Sequence, residues 1–316
     1  MSLDHWENYY RGGLLATCPT GTGGSYDLEV RQAWVDFFKP LPDGARIVDV
    51  GTGNGAVALI ARETAAGTNH QWEIHGVDLA RIDPVAHVPN GAKLFAGVQF
   101  HPGVALEKLP FEDASVDAIS AHNVIEHTEI APAMAELARV LKPGAPIQMV
   151  IHHHQSRLVD NANWCIREAE IVKETGIYRR LGQLINIEGQ VKQVVDKRTA
   201  DLRASIRMLK LELQNAATAG QGTILRVTLD TVQKLLELRK EASATQVEKE
   251  IDRVRAELRA AVRRMKDLVK SARSEAEMNE IKANAARAGF DHLDFSPLLH
   301  AGHNLMGWRM TGKRSS

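Results

Sequence analysis

The sequence predicts an α/β fold: a parallel sheet flanked by helices, with a long helical insertion before the last strands. Three observations carry this. Short β-branched runs alternate with helical stretches up to about His154. Glu, Lys, Arg, Ala and Leu then dominate to about Glu280, and strand signals vanish. Strand texture returns near the end, at Phe290–Phe295 and Asn304–Thr311. Alternating strands and helices are the pattern of a parallel sheet with helices on its faces.

In chain order, strands are expected at 46–50, 73–78, 94–100, 116–121 and 147–152, with helices near 55–66 and 131–141. Met134, Leu137 and Leu141 put an apolar stripe on the second helix, and "KPG" ends it. In the insertion, Val247, Ile251, Val254, Leu258, Ala261, Met265 and Leu268 recur at heptad spacing. Looser seams run through Leu202, Ile206, Leu209 and Leu213, and through Leu225, Leu229, Val232 and Leu236. The "TAGQGT" around Gly220 and Gly222 is the clearest break. These seams suit an α-helical, coiled-coil-like insertion, and either an intramolecular bundle or a dimer would satisfy them. The expected organisation is an N-terminal lid segment at 1–40, a sheet domain at 41–154 and 281–316, and the insertion at 155–280.

Composition narrows the function. Thirty-nine basic residues balance thirty-nine acidic ones. No strong positive field is available for a phosphate backbone, so nucleic acid is not expected as a partner. Cys18 and Cys165 are the only cysteines. They cannot make a disulfide framework and suggest a reducing compartment. The opening "MSLDHWENYY" has no charged-then-apolar leader, and no apolar run is long enough to span a membrane. A cytoplasmic location is expected.

The chemistry concentrates in "RIVDVGTGNGAVALIA", Arg46 to Ala61. After a strand, a glycine turn lets backbone approach a ligand closely, and the next helix presents free N–H groups. Gly51, Gly53 and Ala56 fit the relaxed dinucleotide pattern, but Asp49, at the strand end, would repel a pyrophosphate and attract an ammonium group. Asp78 ends the second strand, where a carboxylate can take both ribose hydroxyls of either ligand.

With these residues in view, the chain resembles the class I S-adenosylmethionine-dependent methyltransferases, of the group that includes ubiquinone/menaquinone-biosynthesis-type enzymes. "VDVGTGNG", "VDLA", "LPFEDASVDAIS", "NVIEHT" and "ELARVLKPGAPIQMVI" resemble its motifs in the right order. The resemblance covers about 40–154 and 285–312. It implies a Rossmann-like seven-stranded sheet with a C-terminal antiparallel hairpin, the helices being inserted between strands five and six. It implies S-adenosylmethionine as cofactor and a small-molecule acceptor. By the same resemblance Asp49, Gly51 and Gly53 would meet the methionine end, Asp78 the ribose and Leu79 the adenine. Asn123 would give backbone contact near the sulfonium. The family's usual adenine-binding acid is replaced by Val104 or Ala105, so Ala105, Glu107 or apolar packing must serve there. In related enzymes a segment like the one carrying Trp6, Tyr9, Tyr10 and Tyr26 folds over the cofactor as a lid.

Methyl transfer needs alignment and exclusion of water, and a base when the acceptor is a hydroxyl or ammonium. His122, ending strand four, and His152 and His154, ending strand five, are the candidate bases, with strand-end caps as the plain alternative. His152 and His154 share a face. A metal there would need further ligands among Glu126, His127, His300 and His303, and the Asp/Asp-Asn set of catechol-type enzymes is not evident, so no metal is assigned. The competing function is a catalytically silent scaffold of the same fold that binds partners through the insertion; self-association through its seams is the related expectation.

Overall fold

A computed structural model of the chain describes residues 3–20, 24–187, 190–218 and 220–316. It divides into two compact units, Met1–Val159 with Lys270–Ser316, and Asp160–Val269.

The first unit is built on a seven-stranded sheet of order β3-β2-β1-β4-β5-β7-β6. Its strands are β1 (Arg46–Val50), β2 (Glu73–Asp78), β3 (Val98–Pro102), β4 (Ala118–His122), β5 (Pro146–His152), β6 (Phe290–His300) and β7 (Asn304–Arg314). β1 to β5 pair in parallel, and β7 runs antiparallel to both β5 and β6. The expected hairpin therefore rejoins the sheet. The strand order reverses between β1 and β4, where open α/β sheets bind ligands beyond the carboxyl ends.

Side chains alternate between the two faces. Val48, Val50, Ile119, Met149 and Ile151 enter one core with Met134 and Leu137 of the Ile130–Val140 helix and Met278 and Ile281 of the Glu275–Arg287 helix. Ile47, Ile74, Ala118 and Val150 enter the other, with Trp34 and Phe38 of the Leu28–Phe38 helix and Ala58 and Ile60 of the Ala56–Thr68 helix. By the same alternation Asp49, Ser120, His122 and His152 belong to this second face.

Two strand boundaries differ from expectation. Leu94 ends a short helix, Gly91–Leu94, and Gly97 turns the chain at φ +87° before β3 starts at Val98. Val116 bridges Leu141 singly, and β4 proper starts at Ala118.

The second unit is helical. Leu202, Leu209, Leu225, Val232, Val247 and Ile251 share one buried cluster, so members of all three seams meet inside it. Buried Glu168 accepts bonds from the amides of Gly222 (2.7 Å), Ile224 (2.8 Å) and Leu225 (3.4 Å), capping the Thr223–Leu238 helix. Among the described residues no helix is long and apolar enough to cross a membrane.

Candidate functional site

Gly51, Gly53 and Gly55 follow β1 at φ +63°, +52° and +83°. Only glycine takes this left-handed path readily, and here three alternate residues need it. Space is equally restrictive. A Cβ on Gly51 would lie 2.4 Å from Val124 Cγ2, and one on Gly53 2.8 Å from Tyr10 Cε1. The turn leads into the Ala56–Thr68 helix, whose N-terminus has no side-chain cap.

Two buried carboxylates flank it. Asp49 lies opposite Ser120 in the β1–β4 register and accepts bonds from Ser120 Oγ (2.7 Å) and Thr52 Oγ1 (2.6 Å). Asp78 accepts from the amides of Gly53 (2.8 Å) and Ala80 (2.8 Å), which ties the end of β2 to the glycine turn. Burial raises both acids to about 6, against the pull of these hydrogen bonds, and the Asp78 charge adds to the rise at Asp49. An arriving cation, or hydroxyls able to donate, would relieve that cost.

Leu79 is 53% exposed at the end of β2, an apolar side chain facing water. Val104 N–H bonds the Asp78 carbonyl (2.9 Å), which brings half-buried Ala105 alongside. Glu107 Oε1 instead accepts from the Glu129 amide at 3.3 Å. Asn123, at φ +56°, gives its N–H to the Val150 carbonyl (2.7 Å), so its own carbonyl is the backbone group left for a ligand. Asn54, in the glycine turn, donates to the carbonyls of Tyr10 (2.9 Å) and Leu14 (2.8 Å) and so fastens the N-terminal segment. Sequence reasoning passed over Asn54, which sits between glycines and offers no pattern of its own.

The three expected bases fare differently. His122 is stacked on Tyr26, with centroids 4.3 Å apart, and its Nδ1 accepts from Trp34 Nε1 at 3.1 Å. Burial lowers it to about 3, so the ring is neutral with its proton on Nε2. Serving as a base would require giving up the Trp34 bond. It borders a small cleft with Cys18, Thr20, Tyr26, Asn123 and Met306. His154 is exposed and stacks on His153, itself against Trp308. His152 is buried, and Glu126 Oε1 accepts from both its Nδ1 (2.7 Å) and its backbone N–H (2.8 Å). Burial works against charge on His152, but the nearby Cys18 thiol and the Glu126 carboxylate more than offset it and raise its pKa. No hydrogen bond of normal geometry reaches its Nε2. His127 adjoins the pair, whereas His300 bonds Asp27 and His303 the Ala301 carbonyl.

Several known proteins are similar to this chain. Residues 48–148 match a family model described as a methyltransferase domain. The dimethylglycine N-methyltransferase of Parasynechococcus marenigrum is 30% identical over 136 residues, 42% of this chain and 46% of that protein. The ubiquinone/menaquinone biosynthesis C-methyltransferase of Geobacter sulfurreducens is 32% identical over 113 residues, 32% of this chain and 40% of that one. The chain spans about half the length of the curated relatives it matches. A solved phosphoethanolamine N-methyltransferase of Haemonchus contortus, in complex with S-adenosyl-L-methionine, aligns over 98% of this chain and 56% of its own, with 13% identity and a TM-score of 0.39.

Proposed function

We propose that this chain, which carries a methyltransferase domain at residues 48–148, transfers a methyl group from S-adenosylmethionine to a small-molecule acceptor at oxygen or nitrogen. The observation that carries the reading is the pair of buried carboxylates, Asp49 and Asp78, on either side of a turn of left-handed glycines.

The residues present suit that cofactor. Asp49 would attract the ammonium group of its amino-acid end, with the Gly51 and Gly53 backbone close against it. Asp78 would accept from the ribose hydroxyls, and Leu79 and Ala105 would line the adenine. The Asn123 carbonyl would face the sulfonium with its negative end. When bound, the cofactor supplies a methyl group already activated on positive sulfur. The protein's work is then to align the acceptor and exclude water. Tyr10, packed over Gly53 and fastened through Asn54, is suited to the second task as part of a lid. Val124, against Gly51, fixes the approach from β4.

The test is transfer of a labelled methyl group from S-adenosylmethionine to small-molecule fractions of a cell extract. Transfer by the unaltered chain, lost in Asp78→Ala, supports the proposal. Cofactor binding without transfer to any fraction would favour the silent scaffold instead.

A further inference from the structure

We infer that Glu126, His127 and His152 form a site for a divalent transition-metal cation, one that recognises the acceptor through an oxygen atom. The acceptor part rests on the methyl-transfer reading; the metal site does not.

Glu126 and His127 lie on the single turn Ile125–His127 that follows β4, and His152 ends β5. Each offers one donor atom, and the three atoms lie within 4.8 Å of one another. Two imidazoles and one carboxylate make a mixed nitrogen–oxygen set that suits first-row divalent ions and leaves positions open for a substrate. Bonds of about 2.0–2.2 Å need donors roughly 3–3.5 Å apart. His127 is exposed, and its Nε2, now 3.3 Å from Ser271 Oγ, would give up that contact to make most of the movement.

A second observation is independent of the spacing. Glu126 is only 4% exposed, yet its Oε2 has no hydrogen-bond partner. Buried polar atoms are rarely left so, because each costs about 1–3 kcal/mol. On binding, the cation would take the place of the proton now shared between Glu126 Oε1 and His152 Nδ1. The frame is fixed too. Arg273 donates its guanidinium to the Glu126 carbonyl (2.9 Å) and its backbone N–H to the His152 carbonyl (2.7 Å). That guanidinium is itself paired with Glu277.

The position gives the cation a use. Val124, two residues before Glu126, touches the Gly51 turn where the methyl donor would lie. A hydroxyl acceptor would lose its proton to solvent as its oxygen took the cation. The oxygen lone pair would then form the new C–O bond while the methyl–sulfur bond breaks onto sulfur. Acceptors carrying an ionisable hydroxyl, such as phenols and enols, are the class this favours.

The full-length chain, stripped with a chelator, should be titrated with Co²⁺ by calorimetry and visible absorbance. One equivalent should bind, at least tenfold more weakly in both Glu126→Gln and His127→Ala. S-adenosylhomocysteine binding to both variants should stay within about threefold of the unaltered chain, which also reports that they fold. His127→Ala changes an exposed side chain and covers the case in which Glu126→Gln misfolds. No Co²⁺ binding, or binding that both variants retain, overturns the metal site and leaves Glu126–His152 as a plain ion pair. Failure of S-adenosylhomocysteine to bind the unaltered chain would instead overturn the methyl-transfer reading.

Discussion

At the scale of single residues, the proposed donor site rests on Asp49 and Asp78. Each is buried, hydrogen-bonded and raised to about 6. A raised carboxylate favours its neutral form in the fold. The ligand-free chain should thus lose stability as pH rises from about 4, the unfolded value, through 6. A cationic ligand needs the ionised form, so donor affinity should move the other way and weaken as pH falls through 6. Tyr10 and Tyr26, the other titratable groups coupled to these acids, are pushed up by burial and stay neutral over this range. Calorimetry between pH 5 and 8 checks this, and Asp49→Asn should flatten much of the profile. Both acids were legible in the sequence, Asp49 within the β-branched run that leads into the glycines and Asp78 between Val77 and a Leu-Ala step. The Glu126–His152 and Trp34–His122 contacts were not. They depend on how the turn after β4 meets β5 and how the Leu28–Phe38 helix lies on the sheet, which no local pattern encodes.

Among the elements, the glycine turn is the most exacting. Gly53→Ala would place a methyl group 2.8 Å from Tyr10 and hold a non-glycine residue at positive φ. A left-handed residue alone costs about 1–2 kcal/mol, so both thermal stability and donor affinity should drop. A separate check is the Glu275–Arg287 helix. Ser274 and Glu277 form its capping box, and Ser274→Ala should cost about 1 kcal/mol in denaturant unfolding with donor binding unchanged. β1 and β5 were easy to read, since buried parallel strands are near-continuous apolar runs, whereas half-exposed β3 was expected too early in the chain. The Leu28–Phe38 helix was not expected, although Val30, Ala33, Trp34, Phe37 and Phe38 recur at helical spacing. Its aromatics sit beside the Gly- and Tyr-rich stretch before it, and that composition suggests a covering segment more readily than a core helix.

Across the whole molecule, two compact units with separate cores should unfold in two calorimetric steps. S-adenosylhomocysteine should raise only the step belonging to the sheet unit. Glu168→Ala, which strips the buried cap from the Thr223–Leu238 helix, should lower only the other, by about 2 kcal/mol or more. The sheet topology was open to sequence reasoning because its motifs come in strand order. The acceptor was not, because the motifs read in the sequence report only the methyl donor. The account stands most directly on isothermal titration of the full-length chain with S-adenosylmethionine and, separately, with a nicotinamide dinucleotide at pH 7.5. It predicts one equivalent of S-adenosylmethionine bound with a dissociation constant on the order of 1 μM–1 mM, lost in Asp78→Ala, and no heat from the dinucleotide. Dinucleotide binding with no response to S-adenosylmethionine would contradict it.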